Sequence, residues 1–372
     1  MIDRTDAQRR RVWRTRLAVA IDGSGTAAGV CGLSVLVVQH HSAAALGAIL
    51  AGRLVAVAAA WAWTLRVHRR ANAAIGGFAA WVWAMVISNF LLVVAAAGDA
   101  RVLYLVVLYA ASSSFNAIAG MQATGRGVRD IVAIGPAGGL GLATGGVVVG
   151  WCYHAFGTGG VICACAVLLL IQLVEIPLIG RTPLVVESRT RRVPFEPVLA
   201  GLCLGFVAFP PLALYYGIVT KTLGAAWVAP AALTYAVFGL LAPVTERHLR
   251  HKMSWVWLFS LMLFLNALHL LLSGGGWLML VDRALSAVVA WLLQGYVSRE
   301  VREKNGLGGV YALGIGVSVG VSVGAALYGA VVSSYGIGGA TALMVGLSVL
   351  IGAPVTRIIG RREAPRAADV AL

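Results

Sequence analysis

The sequence predicts an all-α membrane protein of twelve transmembrane helices, arranged as two six-helix halves. Three observations predict it. Of the 372 residues, 60% are hydrophobic and 12% charged, against about 25% charged in an ordinary soluble domain. The apolar residues form runs long enough to cross ~30 Å of hydrocarbon, which takes ~20 residues of helix. They run without strand alternation, which excludes a β-barrel, and only helices otherwise satisfy every backbone amide in lipid.

The spans follow in order. The first half holds 17–38, 43–65, 72–97, 102–122, 130–151 and 158–180 as spans 1 to 6. The second holds 197–218, 225–244, 254–273, 277–298, 308–331 and 337–358 as spans 7 to 12. Residues 181–196 (RTPLVVESRTRRVPFE) are polar and basic and read as a cytoplasmic linker. The lobes are therefore 1–180 and 197–372. The basic N-terminus precedes a span that opens at Asp22 and lacks a small-residue cleavage site, so span 1 reads as a helix that stays in the chain.

Charge orients the spans. With the N-terminus in the cytoplasm, 25 of the 29 Lys and Arg residues fall on inner segments. Arg101 and Lys221 fall on outer loops, and Arg53 and Arg283 inside spans. This bias places both termini in the cytoplasm of a cell with a plasma membrane, here the bacterial inner membrane. The net charge of +15 is spread over these clusters, so nucleic acid is not an expected partner.

Enzyme signatures are missing. There is no G-x-x-x-x-G-K-[ST] loop for nucleotide phosphates and no His or Cys cluster with metal spacing. Neither catalysis nor a cofactor nor a metal is expected. Cys31, Cys152, Cys163, Cys165 and Cys203 read as small thiols in or near spans, and Cys163 and Cys165 point ~200° apart on a helix. His40, His41 and His154 read as loop residues. Ser112, Ser113 and Ser114 read as hydroxyls that bond back to their own helix.

Ionisable residues within spans cost ~2.5–3.5 kcal/mol each near the bilayer centre, so each needs a reason. Arg53 is the deepest, and an acidic or carbonyl partner is expected for it. Asp22 is a candidate proton carrier, or else an interfacial cap. Glu175 is a second proton-coupling candidate, although its place near the inner surface favours a snorkelling carboxylate. Asp282 and Arg283 point ~100° apart and are expected to pair with other helices, as a possible outer gate. Asn116, Gln122, Tyr215, Tyr216, Tyr235, Trp291, Gln294 and Tyr311 are candidates for lining a mostly apolar substrate cavity. Pro210, Pro211 and Pro230 are expected bend points.

Span 5 (GPAGGLGLATGGVVVG) and span 11 (GLGGVYALGIGVSVGVSVGAALYGA) are both glycine-dense and hold the same rank in each half. Small residues at four-residue spacing let helix backbones approach closely. Repeated six-helix halves about a central path are a common transporter plan.

Several stretches together resemble the major facilitator superfamily, within it the drug and siderophore exporter branch that includes the enterobactin exporter. WRTRLAVAIDGSGTAAGVCGLSVLVV and LGAILAGRLVAVAAAW resemble the branch's opening, with an arginine where Arg53 stands. TERHLRHK resembles the superfamily's cytoplasmic D-R-x-G-R-[RK] motif, with Glu246 in the acidic place and Arg247, Arg250 and Lys252 in basic places. IGPAGGLGLATGG is similar to the antiporter glycine–proline motif, carried by Gly135, Pro136, Gly138 and Gly139, with one residue fewer between the proline and the glycine pair. VREKNGLGGVYALGIGVSVGVSVGAAL resembles the region entering span 11. The first-half cytoplasmic motif, TLRVHRR, has Leu65 in place of the acid.

The resemblance implies alternating access by two rocking halves, with Glu246 and its basic neighbours as an inner latch. It implies a secondary transporter, an antiporter driving efflux of a small amphiphilic drug, natural product or siderophore. Protons are possible co-substrates, lipid is the surroundings, and the unit is a monomer. Import of a nutrient or siderophore by the same fold is the alternative, and a non-transporting receptor or assembly partner the second.

Overall fold

The computed structural model describes residues 2–59, 77–125, 131–180, 195–208, 210–234, 236, 241, 244, 255–272 and 277–369. Nearly all of these are helical. Six stretches are long and apolar enough to cross a membrane: Val12–His40, Phe78–Ala97, Val102–Gly120, Ala137–Ile179, Trp277–Gly306 and Gly308–Gly352. Their surfaces agree with a lipid surrounding. On Phe78–Ala97, Trp83, Ile87 and Leu91 are exposed at four-residue spacing, while Val82, Met85, Val86 and Val93 are buried. An apolar stripe of that kind is unfavourable in water and neutral in hydrocarbon. The chain is a multi-pass helical membrane protein.

Three glycines turn very long helices into antiparallel pairs. Ile131–Gln172 runs for 42 residues, or ~63 Å at 1.5 Å per residue, twice the hydrocarbon thickness. It reverses at Gly157, whose φ of 62° is open to glycine at little cost. A β-carbon on Gly160 would overlap the Cys152 carbonyl. Those residues would stand ~12 Å apart on a straight helix. Trp277–Asp369 reverses in the same way at Gly306 (φ 63°) and Gly336 (φ 75°). Across the second turn the Tyr328 and Thr341 hydroxyls meet at 3.3 Å.

Two seams of small residues organise the packing. Along the first, helix 131–156 lies on helix Ile2–His40. β-Carbons on Gly141 and Gly145 would overlap the carbonyls of Ala20 and Ser24. Along the second, helix 307–335 lies on Phe195–Ala208, and β-carbons on Gly316 and Gly320 would overlap the carbonyls of Val198 and Leu202. In both seams the residues recur every four positions, one helical turn, so each seam is a straight backbone-to-backbone contact. These are the glycine-dense stretches seen in the sequence, one against helix Ile2–His40 and the other against Phe195–Ala208. Gly138, of the predicted glycine–proline motif, contributes its carbonyl, 2.8 Å from where a Gly23 β-carbon would stand. Gly139 is buried beside it, and Gly135 and Pro136 lie one turn earlier on the same helix.

Pro210 and Pro211 are the first two residues of the described helix Pro210–Thr222, and the join to Phe195–Ala208 falls on residue 209, outside the described residues. Pro230, by contrast, lies within helical residues 228–234.

Candidate functional site

The second and eleventh predicted spans meet across the molecule and then part. At one end, Ser42 caps helix Ala43–Ala51 by accepting from the Ala45 amide at 3.2 Å. The Ala44 amide donates to Ser333 Oγ at 2.9 Å. One turn further, Gly47 and Gly329 stand face to face. A β-carbon on Gly47 would lie 2.5 Å from the Ala325 carbonyl oxygen, and one on Gly329 2.5 Å from that of Ala43. No side chain fits between the helices there. Gly217 on the neighbouring helix Pro210–Thr222 is equally closed in, by Val38, Leu46 and Ser34. This end of the bundle is sealed.

Beyond the seal the same two helices enclose a cavity of about 360 Å3. Four helices wall it, and the lining residues recur at helical spacing. Arg53, Ala56 and Val57 come from helix 53–59, and Ala117 and Gly120 from Val102–Gly125. Gln294 and Ser298 sit one turn apart on helix 277–305. Tyr311, Gly314 and Ser318 line one face of helix 307–335. β-Carbons on Gly120 or Gly314 would meet nothing within 4 Å. These glycines leave space for something else, where Gly47 and Gly329 exclude it. The volume and the mainly apolar wall with a few polar groups fit a small-molecule site.

Arg53, Gln294 and Tyr311 line this one cavity. Other candidates are placed elsewhere. Asn116 adjoins the wall residue Ala117 without lining the cavity, and Gln122 is buried one turn beyond. Trp291 packs against the hydrophobic cluster around Leu204, Leu258 and Leu293. Tyr215 and Tyr216 are buried near the sealed end, with ring centroids 5.8 Å apart. Tyr235, Glu246, Arg247, Arg250 and Lys252 lie outside the described residues. Periodicity alone could not separate these aromatics and amides, because every span is apolar around most of its circumference.

The expected acidic or carbonyl partner of Arg53 is corrected. Among the described residues Arg53 makes no hydrogen bond or ion pair, and no acid lines the cavity. Its guanidinium is half-buried at the cavity wall. Glu300 pairs with Lys304 on its own helix and Glu303 is exposed; the other acids of the described spans sit apart from Arg53, in two groups.

The first group joins the first and sixth predicted spans. Gln172, fully buried, donates from Nε2 to the Asp22 backbone carbonyl at 3.3 Å and to Asp22 Oδ1 at 3.5 Å. Gly25 makes this possible, since a β-carbon there would overlap the Gln172 side chain. Glu175 lies one turn beyond Gln172 and is only 5% exposed. The snorkelling carboxylate expected here is corrected: the helix turns Glu175 inward toward Ile2–His40 and Phe78–Ala97. Glu175 Oε1 and Gln172 Oε1 are buried with no hydrogen-bond partner. Gln172 escaped the sequence analysis because a lone glutamine in an apolar run gives no signal.

The second group is Asp282 and Arg283, exposed by 1% and 2%. As expected, Arg283 reaches another helix. Its guanidinium lies over the Tyr215 ring, 5.5 Å from the centroid, a cation–π contact. Arg283 Nε and Nη1 and the nearby Ser286 Oγ have no hydrogen-bond partner.

Smaller features behave as their residue types require. Ser114 Oγ donates to the Ala110 carbonyl four residues back, and Ser112 Oγ reaches Asn89 Oδ1 at 2.5 Å. Cys165 is buried while Cys163 is exposed, and the five cysteines are free. His41 lies 3.4 Å from Asp99 at the sealed end. Among the described residues no three His, Cys, Asp or Glu side chains come together as metal ligands.

No protein-family model and no curated protein sequence matches this chain. Solved structures do. A mutant of the nucleoside transporter NupG superposes with a TM-score of 0.65 at 11% identity, over 93% of this chain and 99% of that one. A bacterial homologue of the human lysosomal transporter Spinster, inward-facing and occupied, gives 0.63 at 14% identity, over 94% and 96%. A bacterial metal transporter gives 0.58 at 14%, over 93% and 98%. The chain has the fold of these transporters.

Proposed function

We propose that this chain is a secondary transporter that exports a small amphiphilic compound by alternating access. One observation carries it: a single helix pair, one helix from each half, is sealed at Gly47 and Gly329 and encloses a cavity at Arg53, Tyr311 and Gly314. A closed end and a ligand-sized cavity between two lobes are what a rocking transporter presents in one of its states. The shared fold and the matched glycine seams support twelve spans in two six-helix halves. The distribution of Lys and Arg assigns the sealed end to the outside and both termini to the cytoplasm, so the state is inward-facing.

Asp22 and Glu175 are the proposed proton-coupling pair, supported by their placement: Gln172 donates to Asp22, and Glu175 lies buried one turn beyond Gln172. Arg283 and Asp282, next to the seal, are proposed as the outer gate. Glu246, with Arg247, Arg250 and Lys252, keeps the latch role the resemblance implies. The unit is a monomer in the plasma membrane, an antiporter of the exporter branch.

Everted membrane vesicles test this. Uptake of an amphiphilic compound that collapses with the proton gradient is the expected result, and Asp22→Asn should remove the pH dependence. Accumulation in intact cells, with none in everted vesicles, would reverse the direction. PH-dependent flux retained in Asp22→Asn would remove Asp22 as the carrier.

A further inference from the structure

We infer that the compound bound in the cavity is an organic monoanion: an apolar body bearing one carboxylate or similar oxyanion, held by Arg53. This rests on the transport reading above and gives its substrate a charge class.

The cavity's charge balance is the basis. Arg53 is the one charged side chain among its described lining residues. Arginine stays protonated in any protein environment, so this described wall is positive at every physiological pH. The five acids of the described spans, Asp22, Glu175, Asp282, Glu300 and Glu303, do not line the cavity, and Glu300 is paired with Lys304. Among the described residues none of them pairs with Arg53.

Each ligand class then meets a different wall. A cation entering would be repelled by a permanent like charge in low dielectric, where screening is weak. A neutral ligand would strip water from the guanidinium and return no charge to it, which is a net desolvation cost. An oxyanion replaces that water with charge-assisted hydrogen bonds, and the planar guanidinium can hold a carboxylate by two parallel ones. The remaining polar groups are neutral. Gln294 and Ser298 face the cavity from one helix, and Tyr311 and Ser318 from the next. They suit hydroxyl or carbonyl groups on the ligand body, while the vacancy over Gly120 and Gly314 accommodates its apolar bulk.

The division between halves adds a mechanical consequence. Arg53 belongs to the first half, and Gln294, Ser298 and Tyr311 to the second. A ligand whose anion is fixed by the first half and whose body is held by the second links the two lobes. A ligand without the anion engages mainly one of them.

Three fluorescent probes with one skeleton test the charge class: dansylglycine (anionic), dansylglycinamide (neutral) and dansylcadaverine (cationic). Binding is measured on the purified full-length protein, and flux in proteoliposomes. The expected order is carboxylate tightest by at least tenfold, then amide, then amine. Arg53→Gln should erase the carboxylate preference, and Arg53→Lys should retain part of it. Melting curves of both variants show whether each is folded, and Gly314→Leu, which fills the cavity, should weaken all three probes.

Amide or amine binding as tightly as the carboxylate overturns the anion class, as does a carboxylate preference that survives in folded Arg53→Gln. Binding of none of the probes overturns it too. Carboxylate preference with no flux of any probe would instead overturn the transport reading and leave the anion site standing. Flux of the amine or amide with the carboxylate excluded would do the reverse.

Discussion

Helices 43–59 and 307–335 run side by side and do opposite things along their length. At Gly47 and Gly329 they touch backbone to backbone. Six residues on, at Arg53, the space between them and their neighbours is an open cavity. Both regions use glycine. In the seal its lack of a side chain allows contact, and at Gly120 and Gly314 the same lack leaves a vacancy. The residue type therefore does not report which role it plays. What surrounds the β-carbon position does.

The sharpest way to break the comparison is to put side chains into the seal. Gly47→Leu with Gly329→Leu should force the helices apart, at a cost of ~3 kcal/mol or more from overpacking. Thermal unfolding would read the loss. Cysteines at positions 43 and 325, both buried in the parent, should become reactive toward a membrane-impermeant reagent.

The matching change in the cavity should act in the opposite sense. Gly314→Leu meets no atom within 4 Å of its β-carbon, so stability should move by less than ~1 kcal/mol. Ligand binding should nevertheless fall by tenfold or more, read by titration of the purified protein. Equal damage to stability by this change and by the seal double variant would erase the distinction.

Gln172→Ala sharpens a different contrast, between polar groups that are satisfied and those that are stored. It removes the donor to Asp22 and opens a void beside Gly25. The expected destabilisation is ~1–3 kcal/mol, with a change in the pH profile of flux. An unchanged profile would make Gln172 a packing residue only.

The smallest effect belongs to Ser333→Ala. It deletes one hydrogen bond to the Ala44 amide at the rim of the seal. The cost should be ~1 kcal/mol, seen as a small fall in melting temperature with transport retained.

Much of the architecture was legible because lipid imposes a simple rule on composition. A long apolar run must be a helix, so Phe78–Ala97 or Val102–Gly125 could be placed from residue types alone. The glycine density of two stretches announced close packing, and Gly141, Gly145, Gly316 and Gly320 carry it. The candidate site was legible in part. Arg53 stood out because an arginine in a span needs a reason, and Gln294 and Tyr311 as polar interruptions. Tyr215 and Tyr216 looked the same, yet they pack near the seal with Arg283. Glu175 looked peripheral by its distance along the chain, but a helix turns one face to lipid and the other to protein, and Glu175 faces protein.

By itself the sequence determined that this is a polytopic helical protein, where its helices run, which stretches pack by glycine and which way the charge bias points. These follow from local quantities: hydrophobicity per residue, side-chain size and position along one chain. Only the tertiary structure decided which helices face one another, that Arg53 looks into a cavity with no acid among its described lining residues, that Gln172 bridges to Asp22, and that Gly47 closes what Gly314 leaves open. Each of these is a relation between residues far apart in the chain. In an apolar helix almost any face can be turned inward, and the choice is made by the packing of its neighbours.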